Sequence, residues 1–156
     1  MLDSPFPAPQ LPELVAVCLG TLLTMPIPER GFVLDPVIPT QGLVMLYAPR
    51  GIGKTFVALS IAIAIAIASG GRVFNWLATA SRKVLYIDGE MPAISMKERL
   101  ESLATGMAVP PCALENLVLI TPDLQPCPMP DLSTELGQAT IEPFLAGVDV
   151  VVLDNL

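Results

Sequence analysis

"MLYAPRGIGKTFVALS", residues 45–60, decides the fold. Its centre, APRGIGKT at 48–55, fits the spacing G-x-x-x-x-G-K-[ST] except that Ala48 stands at the first position. Gly51 and Gly53 allow the backbone to turn so that successive N–H groups face inward. A helix starting near Lys54 adds the positive end of its dipole. The expected phosphate-binding residues are therefore Ala48, Pro49, Arg50, Gly51, Ile52, Gly53, Lys54 and Thr55. Lys54 would reach the β- and γ-phosphates of a nucleotide, and the Thr55 hydroxyl would ligate Mg²⁺. The competing reading is an ordinary glycine turn entering a helix. For Arg50, solvent exposure competes with a phosphate contact.

Outward from this loop, the apolar run GLVMLY (42–47) reads as a buried strand leading into it. Residues 53–69 alternate Ile with Ala, which is superficially strand-like. The length of the run, the helix-forming alanines and the Gly70–Gly71 stop favour a helix instead, apolar nearly all round and mostly buried. KVLYID (83–88) and NLVLI (116–120) read as strands, and PAISMKERLESLA (92–104) as a helix with Pro92 in its first turn. A short helix within 132–146, broken near Gly137 and Pro143, precedes a final apolar strand at 148–156. A short helix is also expected at 13–25. Residues 26–41 read as irregular and residues 1–12 as a loose tail. Strands alternating with helices, and apolar throughout, predict an α/β fold with a parallel sheet covered on both faces.

Two further motifs carry carboxylates. VVVLDNL (150–156) is a buried strand ending in Asp154, the form of a Walker B strand whose terminal carboxylate faces a Mg²⁺ shell. Many buried strands end in Asp, so the motif gains weight from its position after the phosphate loop. YIDGEMP (86–92) puts Asp88 and Glu90 at the C-terminal end of a strand, where open α/β sheets bind ligands. Glu90 could activate a water for attack on the γ-phosphate, or could merely complement the positive end of the helix starting at Pro92. A lone Trp76 reads as packing more readily than as a base-stacking platform.

Composition narrows the classes. Of the 156 residues, 53% are hydrophobic and 15% charged, which argues against disorder. Fifteen acids face eight bases, and no Lys or Arg occurs after Arg99, so the second half has no basic stripe for a nucleic-acid backbone. Three separated cysteines without histidine argue against a zinc site or disulfide framework. A reduced compartment, no membrane span and a cytoplasmic location are the corresponding expectations.

Together, LYAPRGIGKT, VLYIDGEMP and VVLDNL resemble the RecA-like P-loop ATPases, particularly the branch of RepA-type plasmid helicases and DnaB-type replicative helicases. The resemblance covers residues 40 to 156. It implies ATP and Mg²⁺ as ligands, Lys54 and Thr55 as the Walker A pair, Asp154 as the Walker B aspartate, also a metal ligand, and Glu90 as the catalytic base. It implies a partial RecA-like ATP-binding domain at 31–156 after a Pro-rich segment at 1–30. Work on DNA in replication and a homo-oligomeric full-length form are implied by the resemblance alone. RecA-like cores continue past the Walker B strand, so the chain reads as an N-terminal portion with an incomplete sheet. An ATP-dependent switch or assembly module and a small-molecule kinase are the alternatives; the kinase is disfavoured by the lack of Lys and Arg after Arg99. Purified as it stands, the chain is expected to release negligible phosphate from ATP and to aggregate. Phosphate release that is brisk and linear in time would contradict this.

Overall fold

The computed structural model describes residues 14–67 and 70–154. At its centre is a three-stranded parallel sheet in the order β6-β5-β7. The strands are β5 (Val84–Asp88), β6 (Leu117–Ile120) and β7 (Val150–Asp154). All five residues of β5 are buried, as expected of a central strand with neighbours on both edges. Main-chain hydrogen bonds from Asp149 and Val150 to the Lys83 carbonyl start the β5–β7 pairing. That register brings Asp88 opposite Asp154 at the far end.

The helix α2 (Lys54–Ala66) forms as the sequence predicts. Ile is a mediocre helix former in isolation, and burial decides the outcome. Leu59, Ser60 and Ala62 through Ala66 are all buried, against β5, β7, β6 and α3 (Ala93–Gly106). Three of the last α2 carbonyls would be costly to bury bare. The Ile65 carbonyl accepts from the Arg82 amide at 3.0 Å, and that of Ala66 from Ser81 at 2.9 Å and Asn116 at 3.1 Å. The Ile63 carbonyl takes the Ile67 amide at 2.9 Å. Gly71 runs against the Ala64 main chain so closely that a Cβ there would collide with the Ala64 carbonyl.

Several expectations are corrected. The fold is α/β and the expected parallel sheet forms, but it is accompanied by a second sheet that was not expected. A separate four-stranded antiparallel sheet runs β2-β1-β4-β3, formed by β1 (Phe32–Asp35), β2 (Ile38–Pro39), β3 (Arg72–Val73) and β4 (Trp76–Ala78). Strands of two to four residues are too short to show a period in sequence. Residues 26–41 are therefore not wholly irregular. Trp76 lies in β4, half-buried, edge-to-face with Phe74 at 5.3 Å between ring centroids.

The expected strand at 42–47 is not a strand. Leu43 is 98% exposed, Met45 85% and Tyr47 88%. A strand needs a neighbour for its amides, and here a cavity of about 590 Å³ separates this segment from the outer edge of β7. Coverage of both sheet faces is also incomplete: Val151 and Leu153 on β7 remain exposed while Leu85 and Ile87 on β5 are fully buried.

The first helix is shorter than expected, α1 (Leu19–Thr24), and has no buried residue. In the C-terminal part, α4 (Glu135–Ile141) runs through Gly137, whose amide donates to the Thr134 cap, and breaks at a 3-10 turn containing Pro143. The tail expected at 1–12 and the strand end at 155–156 lie outside the described residues. Among the described residues no helix is long and apolar enough to cross a membrane.

Leu59, fully buried on α2, measures the dependence on this helix. Leu59→Ala should lower unfolding stability by about 2–5 kcal/mol, read as a reduced urea midpoint. An unchanged midpoint would mean that α2 is not the core helix.

Candidate functional site

The loop at 48–53 turns through two left-handed glycines. Gly51 has φ +83° and Gly53 +94°, left-handed backbone that an L side chain resists. Open space surrounds both positions, so conformation rather than crowding calls for glycine. Gly53 is the N-cap of α2, and no side chain caps the helix. The amides of the first turn are thus free of a side-chain cap at the positive end of a thirteen-residue helix. Lys54, half-buried, turns its ammonium back over the loop, donating to the Ala48 carbonyl at 2.8 Å and the Pro49 carbonyl at 3.2 Å. This holds one positive charge at the mouth of the loop. Thr55 sits half-buried in the same helical turn, while Pro49, Arg50 and Ile52 are exposed.

Lys54 and Asp154 line one cavity, together with residues 42–46, the α2 side chains of Ala58, Ile61 and Ile65, and the rest of β7. Its walls are apolar apart from these two charged groups, so their fields act in a partly dry space. Glu90 does not line this cavity. It is exposed on the turn that leaves β5, next to Gly89, whose amide donates to the Asp154 carbonyl at 3.1 Å. The main chains of the two acidic segments therefore touch.

The β5 side chains sharpen this end of the sheet. Tyr86 and Asp88 are each fully buried. Tyr86 donates its hydroxyl to Asp154 Oδ2 at 2.7 Å. Burial first, and then that hydrogen bond, push the Tyr86 phenol above its ordinary value, so it remains a neutral donor. Asp88 Oδ2 accepts from the Met91 amide at 2.6 Å and the Glu90 amide at 3.3 Å, holding the turn that presents Glu90. Its Oδ1 has no hydrogen-bond partner among the described residues. Burial raises the Asp88 pKa, the two amides oppose the rise, and the Asp154 and Glu90 carboxylates add to it.

Asp154 and Thr55 offer oxygen donors of the kind a divalent cation takes. Mg²⁺ takes hard oxygen ligands and is usually held by one or two carboxylates plus substrate phosphates and water. Tyr86 occupies one Asp154 oxygen and leaves Oδ1, and the Thr55 hydroxyl is a second hard donor. The donor set fits. Among the described residues no group of three or more His, Cys, Asp or Glu forms an all-protein cage.

Sequence reasoning assigned no role to Tyr86, and it gave Asp88 no part in holding the turn. The signal was present, because a period of two along YID puts Tyr86 and Asp88 on one face of the strand. What the sequence lacked was the register that sets this face beside Asp154.

A family model described as "AAA domain" matches residues 7–156. A comparison with curated proteins finds no match.

The raised pKa of Asp88 has a stability consequence. The folded chain holds this proton more tightly than the unfolded chain. The associated stability is complete below the ordinary aspartate value and is lost as pH rises through the folded-state value. Asp88→Asn keeps an acceptor for the turn amides and removes the charge. The variant should therefore gain melting temperature over the unmodified protein at neutral pH, with the gain shrinking toward pH 4. A gain independent of pH would contradict the burial argument.

Proposed function

Because the chain belongs to the AAA-domain family, a group of P-loop NTPases, we propose that it binds and hydrolyses Mg-ATP as a RecA-like ATPase. The observation that carries this reading is the shared cavity of Lys54 and Asp154, where the N-terminus of α2 meets the C-terminal end of β7. In this reading the amides of Gly51 to Thr55 grip the β- and γ-phosphates, and Lys54 exchanges its loop carbonyls for phosphate oxygens. Ala48, Pro49, Arg50 and Ile52 form the rest of the loop. Thr55 and Asp154 would hold Mg²⁺, which when bound neutralises charge on the phosphates.

Glu90 serves as the general base. Its carboxylate takes the proton as the water oxygen bonds to the γ-phosphorus, and the bond from that phosphorus to the β–γ bridging oxygen breaks. Phosphate and ADP leave. The turn held by Asp88 keeps Glu90 beside the end of β7. Glu90 is exposed, so its approach to the water depends on where the phosphates settle.

Action on DNA in replication, in the manner of the RepA-type helicases, rests on the resemblance of the three motifs, as does homo-oligomer formation. DNA-stimulated ATPase activity would support the DNA reading; its absence would favour an ATP-dependent assembly switch.

Lys54→Ala should weaken ATP binding by about 10- to 100-fold, the loss of one charge-assisted contact. Glu90→Gln should leave binding intact and lower the rate at which bound ATP is hydrolysed by about 10²–10⁴-fold. Fluorescent-nucleotide titration and phosphate release are the two readouts. Undiminished turnover in Glu90→Gln would remove Glu90 as the base.

A further inference from the structure

We propose that Tyr86 is a positioning residue for Asp154, fixing which oxygen of that carboxylate is presented to a divalent cation. The proposal rests on the Mg-ATP reading of the same site and adds to it a group outside the three motifs' assigned roles.

Strand register sets the neighbours of Asp154. Asp154 stands at the last pair of the β5–β7 ladder, and its direct neighbour is Asp88. That neighbour cannot steady it. Asp88 spends its Oδ2 on the amides of Met91 and Glu90, and a second carboxylate close by repels rather than orients. Tyr86 pairs at the main chain with Val152, two residues earlier, and lies on the same face of the sheet. Its ring is long enough to reach along that face, and the hydroxyl arrives at Asp154 Oδ2 at 2.7 Å. This is the one side-chain hydrogen bond of Asp154 among the described residues.

The donor is also stiff. Tyr86 is fully buried in the core cluster with Val84, Leu59 and Ile65, so its two side-chain torsions are set by packing. Asp154 is less enclosed, at the end of an edge strand with the cavity beside it. Left alone, its carboxylate could rotate about its last torsion and turn away from Asp88. Pinned at Oδ2, it keeps Oδ1 in a fixed place. Loss of a partner that orients a metal-ligating group typically costs about 10- to 100-fold in metal affinity.

A buried tyrosine could seek a partner merely to satisfy its hydroxyl. The two roles separate experimentally. Tyr86→Phe retains the ring and removes the donor. Nucleotide binding in EDTA, which reads the phosphate loop alone, should be unchanged. Mn²⁺ affinity of the nucleotide complex, read by electron paramagnetic resonance, should fall by about 10- to 100-fold. Unchanged Mn²⁺ affinity overturns the proposal. If the unmodified protein binds no nucleotide in EDTA, the phosphate-loop reading fails, and this inference with it.

A second measurement needs no change at position 86. The chain has two tyrosines, and Tyr47 is exposed. With ¹³Cζ-labelled tyrosine and Tyr47→Phe, one resonance remains. Adding Mg²⁺ to the nucleotide complex should shift it, because the cation draws charge from the carboxylate that accepts the Tyr86 hydrogen bond. A resonance that stays fixed while Mg²⁺ binds overturns the proposal.

Discussion

Burial of α2 is the constraint on which the rest depends. A helix of Ile and Ala has no polar face to offer water, so it is enclosed by β5, β6, β7 and α3. Its C-terminal carbonyls are fastened by Arg82, Ser81 and Asn116. With the body and one end fixed, the other end is fixed too. The uncapped amides at Gly53 and beyond then face the region where β7 ends. The proposed anion binding would follow from core packing, because the same apolar side chains that stabilise the domain aim the helix dipole.

The same packing explains how so acidic a chain could offer the proposed anion site. Oriented amides and a single ammonium act over a few ångströms, whereas the acids of the second half act through solvent and are screened. The local problem is the opposite one. Three carboxylates, Asp88, Glu90 and Asp154, gather at the ends of β5 and β7, and Asp88 is wholly buried. Each is managed differently: Asp88 by two turn amides, Asp154 by a phenol, and Glu90 by exposure. A divalent cation and the phosphate loop's ammonium would complete the balance on the cavity side.

Much of the architecture was legible where segments are long and apolar. The helix α2, the strands β5, β6 and β7 and the helix α3 follow from length, alanine content and flanking Gly or Pro. The Ile–Ala alternation could have misled, but thirteen helical residues exceed what a strand in this sheet requires. The antiparallel sheet was illegible because β2 and β3 have two residues each and are defined by their pairing. GLVMLY misled for the converse reason: its composition suits a strand, but strand structure is a property of pairs, and across from it lies the cavity beside β7. In the candidate site, the glycine turn into α2 and the strand ends at Asp88 and Asp154 could be read directly, since local spacing defines them. The role of Tyr86 could not, because it depends on a partner 68 residues away, brought near by register.

The claim that main-chain amides at the start of α2 grip a polyphosphate is tested most directly by amide spectra of the ¹⁵N-labelled chain during titration with Mg-pyrophosphate. The account predicts that the largest shifts fall on Gly51, Gly53, Lys54 and Thr55 and saturate together. Saturable shifts confined to other segments, with these four amides unmoved, would contradict it.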